Sequence, residues 1–157
     1  MEDWIIRERL HFAAADGDIK QMKKLISEDY DLNAFDEDLG KTPLHYAAEN
    51  NHIQAVQLLV QAGADVNAND TAKIGNTPLG EIAQTCSYEM AKILIDAGSN
   101  PTTPGWMWLT ALDRAERRKK TEGRRVYDLL LKTAKEKFNY IEKINKNHLE
   151  RIANDHV

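Results

Sequence analysis

An internal repeat of about 35 residues constrains the fold of this chain more than any other feature. The segment TPLHYAAENNH begins at Thr42, and TPLGEIAQTCS begins 35 residues later at Thr77. A shift of 34 residues aligns an earlier copy, and a degenerate fourth copy begins at Thr110. Because so short a unit cannot bury its own apolar side chains, successive units must stack on one another. The repeat therefore predicts a solenoid.

Each unit has the features of two short helices joined by a tight turn. A threonine such as Thr42 suits a helix start, and the proline after it occupies the first helical position, where its missing N–H costs nothing. Gly17 and Asn51 mark the turn, because both residue types tolerate positive φ. Apolar residues in the second helix follow the spacing of an amphipathic helix, as in Ile53, Val56, Leu59 and Val60.

The segment from Thr42 to Ala68, TPLHYAAENNHIQAVQLLVQAGADVNA, resembles the ankyrin repeat over its whole length. This resemblance implies an all-α solenoid of about four helix-turn-helix units, whose first helices and hairpin fingers line a concave binding face. The implied ankyrin-repeat domain covers 1–134, with repeats near 8–41, 42–76, 77–109 and 110–134. The fingers before Thr42 and Thr77 are longer than in the family pattern, which indicates tailoring to a partner or a tolerated loop insertion.

Catalytic and metal-binding motifs are missing from the sequence. The single cysteine, Cys86, has no histidine placed beside it, and the chain contains no CxxC, no metalloprotease helix motif, no phosphate-binding glycine loop and no GxSxG. His11 and His45 fall on the same repeat position, where the resemblance implies a hydrogen bond between adjacent units. We predict no enzyme activity, no catalytic or metal-binding residues, no cofactor and no small-molecule substrate.

Composition and charge predict a cytoplasmic protein with an uneven charge distribution. No stretch of 18 apolar residues is present, and a lone cysteine is typical of a reducing compartment. Residues 1–109 contain 17 acidic and 8 basic side chains, whereas residues 110–157 contain 8 acidic and 13 basic ones. Such a split influences association kinetics and the choice of partner rather than the fold.

The residues that the repeat does not require indicate where a partner protein binds. The resemblance implies contact positions on the first helices, which are here Tyr46, Glu49, Asn50, Glu81, Gln84, Arg114, Arg117 and Arg118. It also implies contact positions on the fingers, which are here Phe35, Asp36, Glu37, Asp38, Lys73, Trp106 and Trp108. Along the chain the first-helix row changes from acidic to basic.

The Trp-Met-Trp sequence at 106–108 is the strongest indication of a contact site. Tryptophan is enriched in interface hot spots because it buries a large area and keeps a polar group. The alternative is that one tryptophan caps the weak fourth repeat. Because side chains along a hairpin alternate inward and outward, the sequence leaves open both a capping tryptophan and an exposed one among Trp106 and Trp108.

Residues 135–157 are predicted to form a C-terminal amphipathic helix, since Thr133 to Val157 contains neither proline nor glycine. An apolar stripe runs through it at helical spacing, formed by Leu130, Ala134, Phe138, Ile141, Ile144, Leu149 and Ile152. This helix either caps the end of the stack or docks a partner or a second copy. Acidic residues interleave with its lysines, which argues against nucleic acid or a membrane as the partner.

These observations predict a non-catalytic protein–protein interaction module, either a monomer or a weak dimer, whose partner binds the concave face and the fingers. A small ankyrin-like chain resembles bacterial inhibitors and immunity proteins, which neutralise a toxin by covering it. It resembles scaffolding adaptors equally well, in which the C-terminal helix would dock or dimerise. The sequence leaves both roles open.

Overall fold

Helices arranged in successive pairs make up the protein, and the computed structural model describes residues 3–118 and 121–141. A short leading helix is followed by four pairs, and no strand occurs in the described residues. The helices are α1 (Asp3–Arg7), α2 (Arg9–Asp16), α3 (Ile19–Ser27), α4 (Pro43–Glu49), α5 (Ile53–Gln61), α6 (Pro78–Ile82), α7 (Tyr88–Asp96), α8 (Ala111–Glu116) and α9 (Thr121–Phe138). The all-α repeat fold expected from the sequence is confirmed.

The recurring threonine caps the first helix of each later pair. The Thr77 hydroxyl accepts the Gly80 N–H at 3.0 Å, and the Thr110 hydroxyl accepts the Asp113 N–H at 3.1 Å. In the second pair the Thr42 N–H donates to His45 Nδ1 at 3.0 Å. The threonine that begins each repeat therefore helps to pair backbone N–H groups at the helix starts, which would otherwise lack hydrogen-bond partners.

Positive φ angles appear at the turns within the first two pairs, as the sequence predicts. Gly17 has φ 68° and Asn51 has φ 57°. A Cβ atom at Gly17 would lie only 2.7 Å from the His52 ring, whose Nε2 donates to the Ala15 carbonyl at 2.9 Å. Glycine is required there because the ring of the next unit packs directly on the turn.

The hydrophobic core runs along the stack between two layers of helices. The first helices α2, α4, α6 and α8 pack in a row, and the second helices lie behind them. Leucines that share one repeat position are completely buried in all four units, namely Leu25, Leu59, Leu94 and Leu130. The four leucines therefore occupy equivalent positions in the core of the four helix pairs.

Helix α9 is the second helix of the fourth unit and differs in extent from the predicted C-terminal helix. It runs without interruption through position 135 and ends at Phe138, where Asn139 adopts φ 51° and the Tyr140 N–H donates to the Ala134 carbonyl. Its buried side packs on α7 and α8. Ile141 lies beyond the helix and is 85% exposed, so the predicted stripe does not continue at this residue. Residues 142–157 lie outside the described residues.

The fingers are loops closed by backbone hydrogen bonds rather than paired strands. The Asp36 N–H donates to the Lys41 carbonyl at 2.9 Å, and the Gly105 N–H donates to the Leu109 carbonyl at 3.0 Å. These loops and the exposed side of the first helices form one surface, which we call the inner face. It is the side that the ankyrin resemblance predicts to be concave.

Candidate interaction surface

A partly buried ionic cluster occupies the middle of the inner face. Lys41 Nζ lies 2.5 Å from Glu49 Oε1 and 3.4 Å from Glu81 Oε1. The other Glu81 oxygen accepts a hydrogen bond from Asn76 Nδ2 at 2.5 Å. The exposed fractions of the Lys41, Glu49 and Glu81 side chains are 11%, 26% and 20%. Two first helices, α4 and α6, therefore share one lysine that lies between their carboxylates.

Burial and charge act against each other in this cluster. Burial raises the pKa of Glu49, and the adjacent Glu81 raises it further. The hydrogen bond and charge of Lys41 lower this pKa but do not outweigh the other two effects. Burial would also raise the pKa of Glu81, but the Asn76 hydrogen bond and the Lys41 charge outweigh it and lower that pKa. Lys41 loses solvation, yet its hydrogen bond to Glu49 and the charges of both glutamates raise its pKa. With both glutamates ionised, the three side chains would carry a net charge of −1, which favours a cationic partner group.

Asp36 is buried, contrary to its predicted role as a partner contact. It is 4% exposed, and its carboxylate accepts the backbone N–H groups of Asp38, Leu39 and Lys41 and the hydroxyl of Tyr46. Burial would raise the pKa of Asp36, but these hydrogen bonds lower it. The side chain folds the finger and is not available to a partner. Its neighbours Phe35, Glu37 and Asp38 are exposed, in agreement with the prediction.

The loop at 102–110, which we call the Trp finger, presents both tryptophans to solvent. Trp106 is 57% exposed, Met107 64% and Trp108 86%. Met107 and Trp108 both have φ 59°, within a single 3₁₀ turn. A left-handed turn replaces the extended hairpin, and both tryptophans are exposed, so neither is buried as a cap of the fourth repeat.

Asn76 holds the Trp finger from the preceding unit. Its Oδ1 accepts the Trp106 N–H at 2.9 Å and Arg114 Nη2 at 3.2 Å, and its carbonyl accepts His45 Nε2 at 2.8 Å. Arg114 Nη2 also lies 3.4 Å from the Trp106 carbonyl. The same asparagine therefore links the ionic cluster to the exposed tryptophans.

The remaining predicted contact residues divide into supporting and exposed side chains. Lys73 Nζ donates to the carbonyls of Asp36 and Glu37, and Arg118 donates to the Cys86 carbonyl at 2.8 Å. These two cations brace loops within the stack. Asn50, Gln84 and Arg117 are exposed, and the Asn50 amide donates to the Tyr46 carbonyl at 2.9 Å.

Sequence reasoning missed Lys41, Asn76 and Phe12. Lys41 and Asn76 each precede the threonine of the recurring phrase, so their equivalence was visible in the 35-residue spacing. Phe12 occupies the repeat position of Tyr46 and is 47% exposed on α2. Comparing repeat positions, rather than reading exposed residues one unit at a time, would have found all three.

His45 has a structural role in this surface. Burial lowers the pKa of His45 to about 4, so this histidine is neutral near pH 7 and acts as a structural link. In the part of the chain that the structure describes, His, Cys, Asp and Glu side chains form no group of three that could hold a metal ion. Within the same residues, no helix is long and apolar enough to cross a membrane.

Comparison with known families agrees with this architecture. A family model described as ankyrin repeats (3 copies) matches residues 10–104, which is more than half of the chain. No individual curated protein matches the sequence. The matched range includes the first three helix pairs and the start of the Trp finger.

Proposed function

The chain belongs to the ankyrin-repeat family, and from this premise we propose that it binds a partner protein across the inner face and the Trp finger. Ankyrin repeats generally mediate protein–protein interaction and are generally non-catalytic. Beyond this general role, the proposal specifies which part of the surface contributes most of the binding free energy. It assigns that role to Trp106 and Trp108.

The exposure of the two tryptophans is the observation that carries this proposal. Large aromatic side chains left in water forgo the stabilisation that burial gives, and they dominate interface hot spots when a partner covers them. Non-glycine residues with φ near 60° are uncommon and cost stability. The hydrogen bond that Asn76 accepts from the Trp106 N–H and the one that Arg114 donates to the Trp106 carbonyl hold the finger in this conformation before any partner arrives, which reduces the entropy lost on binding.

The charge pattern favours a partner with a basic patch beside an apolar one. Glu49 and Glu81 outnumber Lys41 in the cluster, and Glu37 and Asp38 add exposed negative charge on the first finger. The Trp finger at the other end supplies apolar area without a carboxylate of its own. Complementary charge would steer the encounter, whereas burial of the tryptophans would hold the complex together.

The prediction that tests the proposal is that Trp106→Ala and Trp108→Ala each weaken partner binding by about 1–4 kcal/mol. Neither side chain is buried, so the melting temperature should change little for Trp108→Ala. The partner would be captured with the intact chain, identified by mass spectrometry, and its affinity measured by titration calorimetry with each variant.

Ile141→Ala provides the matched control. Ile141 is a large, exposed apolar residue like the tryptophans, but it lies just after the C-terminal end of α9 and outside the Trp finger. If both tryptophan variants bind with unchanged affinity, the Trp finger is not the contact site. If Ile141→Ala is the variant that weakens binding, the surface beyond α9 is the docking site instead.

As the finer role we propose an inhibitor of the immunity-protein kind, which acts by covering one partner. The supporting observation is that the exposed aromatic residues Phe12, Phe35, Trp106 and Trp108 all lie on the first-helix layer or the fingers. A scaffolding adaptor needs a second contact surface, and exposed Ile141 is the feature that favours this alternative. Loss of the partner's own activity in the complex would support inhibition, and simultaneous binding of two different proteins would support the adaptor.

A further inference from the structure

A cavity of about 500 Å³ lies at the N-terminal end of the stack, far along the chain from the Trp finger. It is open to solvent on one side and is lined by the end of α1, the residue before α2, α2 itself, the loop after α3 and the first finger. Apolar side chains form part of its wall, including Ile6, Tyr30 and Phe35. His11 also lines it and is 3% exposed.

His11 carries a buried hydrogen-bonding atom without a partner. Its Nε2 lies 2.8 Å from the Ala34 carbonyl oxygen and must donate, because a carbonyl only accepts. In a neutral imidazole Nδ1 is then an acceptor, and this atom has no hydrogen bond in the structure. A buried acceptor left unpaired is costly and calls for an explanation.

The second repeat shows what His11 lacks. At the same repeat position, His45 Nδ1 contacts the Thr42 backbone N–H at 3.0 Å and the Thr42 hydroxyl at 2.9 Å. In the first repeat Glu8 replaces this threonine, and its carboxylate turns away to accept the Glu37 N–H at 3.1 Å. The hydroxyl that pairs the ring in the second repeat is therefore missing from the first, and the backbone differs as well, since ψ is 7° at Glu8 and 166° at Thr42.

Acidic side chains dominate the charged part of the cavity wall. Five carboxylates stand against one guanidinium, that of Arg7, which pairs with Glu37 at 2.5 Å. The acidic residues are Glu8, Glu28, Asp29, Asp31 and Glu37. Negative charge of this kind attracts a cation, and the unpaired acceptor of His11, a residue of the cavity lining, favours one that carries N–H donors.

We propose that this cavity binds an alkylguanidinium group, as found at the end of an arginine side chain. A guanidinium has five N–H donors, so it can donate to His11 Nδ1 and to carboxylates of the wall together. Its plane can stack on the Phe35 ring, whereas the Arg9 guanidinium already lies 5.9 Å from the centroid of the Tyr30 ring, and its alkyl chain can pack on Ile6. The proposal does not rest on the function assigned to the Trp finger, because it concerns a small group and no residue of the Trp finger lines this cavity.

The test is an NMR titration of the full chain with N-acetyl-arginine-N′-methylamide. N-acetyl-citrulline-N′-methylamide is the control probe, because its ureido group keeps the planar shape of the guanidinium and about three of its five N–H donors but replaces the charged end with a neutral carbonyl. We expect saturable shifts at the cavity residues and at the His11 Nδ1 nitrogen with the arginine probe, and binding about ten-fold weaker with the citrulline probe. Equal binding of both probes, or no saturable shift with arginine, would overturn the proposal.

Variants at Glu8 separate the acceptor from the charge. Glu8→Ala removes one negative charge and leaves His11 Nδ1 unpaired, whereas Glu8→Thr removes the same charge and supplies the hydroxyl that the second repeat uses. We expect Glu8→Thr to weaken arginine binding clearly more than Glu8→Ala does. Glu89→Ala, the matched loss of an exposed carboxylate on α7, should leave binding unchanged. Equal binding by the two Glu8 variants would show that Nδ1 does not contact the probe.

Discussion

At the scale of single residues, His45 couples the stability of the stack to pH. It is 1% exposed, and burial lowers its pKa from 6.5 to about 4. The unfolded chain therefore binds a proton at this residue that the folded chain resists between these two values. We expect the free energy of unfolding to fall by up to about 3 kcal/mol through this histidine as the pH drops from 6.5 to 4.

Urea unfolding at several pH values would measure this contribution as a difference between wild type and His45→Gln. The comparison is necessary because carboxylates such as Asp36, whose pKa is lowered by its hydrogen bonds, also lose stability in acid. The wild-type curve should fall more steeply with acid than the variant curve. Parallel curves would mean that His45 does not titrate differently in the folded state.

Residues of the site differ in how well the sequence could predict them. Phe35, Trp106 and Trp108 were predictable as contact candidates, because the repeat gives them no structural task, and all three are exposed. The burial of Asp36 could not be predicted from the acidic sequence around it. It depends on the path of the finger, which brings three backbone N–H groups to the Asp36 carboxylate. His11 needed coordinates as well, because its repeat position predicts a bonded ring and the missing partner is visible only in the contacts.

At the scale of elements, α9 should contribute to stability as the second helices of the other pairs do. Leu130 is completely buried at the repeat position of Leu59, so Leu130→Ala and Leu59→Ala should each lower the free energy of unfolding by about 2–5 kcal/mol. Asp128→Ala is the control, because its side chain is 55% exposed on the same helix. Chemical denaturation would test this, and a neutral Leu130→Ala would mean that α9 is not an integral unit of the stack.

Helix pairs were predictable from spacing and capping residues, whereas helix ends and finger shapes were not. Thr77 and Thr110 cap helices as their sequence contexts predict. The end of α9 at Phe138 depends on Asn139 entering the left-handed region, which asparagine tolerates but does not require. Likewise, the positive φ angles of Met107 and Trp108 could not be predicted, because neither residue is a glycine, the residue type that usually signals this conformation.

At the scale of the whole molecule, the uneven charge distribution should affect how fast a partner arrives. Asp38 is exposed on the first finger, within the acidic part of the chain. With a basic partner, Asp38→Lys should slow association and weaken its salt dependence while leaving dissociation nearly unchanged. Stopped-flow measurements at several salt concentrations would show this. Asp96→Lys, an exposed site on α7, is the control, and an equal effect there would mean that only net charge matters.

The way the fingers are held has a consequence for exchanging repeats between proteins. Lys73 in the second finger donates to carbonyls of the first, and Asn76 of the second supports the backbone of Trp106 in the third. Each loop is thus fixed partly by side chains that belong to another unit. A graft that moves the Trp finger alone into a different repeat protein would leave Asn76 behind and lose the loop's conformation. Recombination that preserves binding specificity must therefore transfer neighbouring repeats together, because the contacts that shape each finger cross the boundary between two repeats.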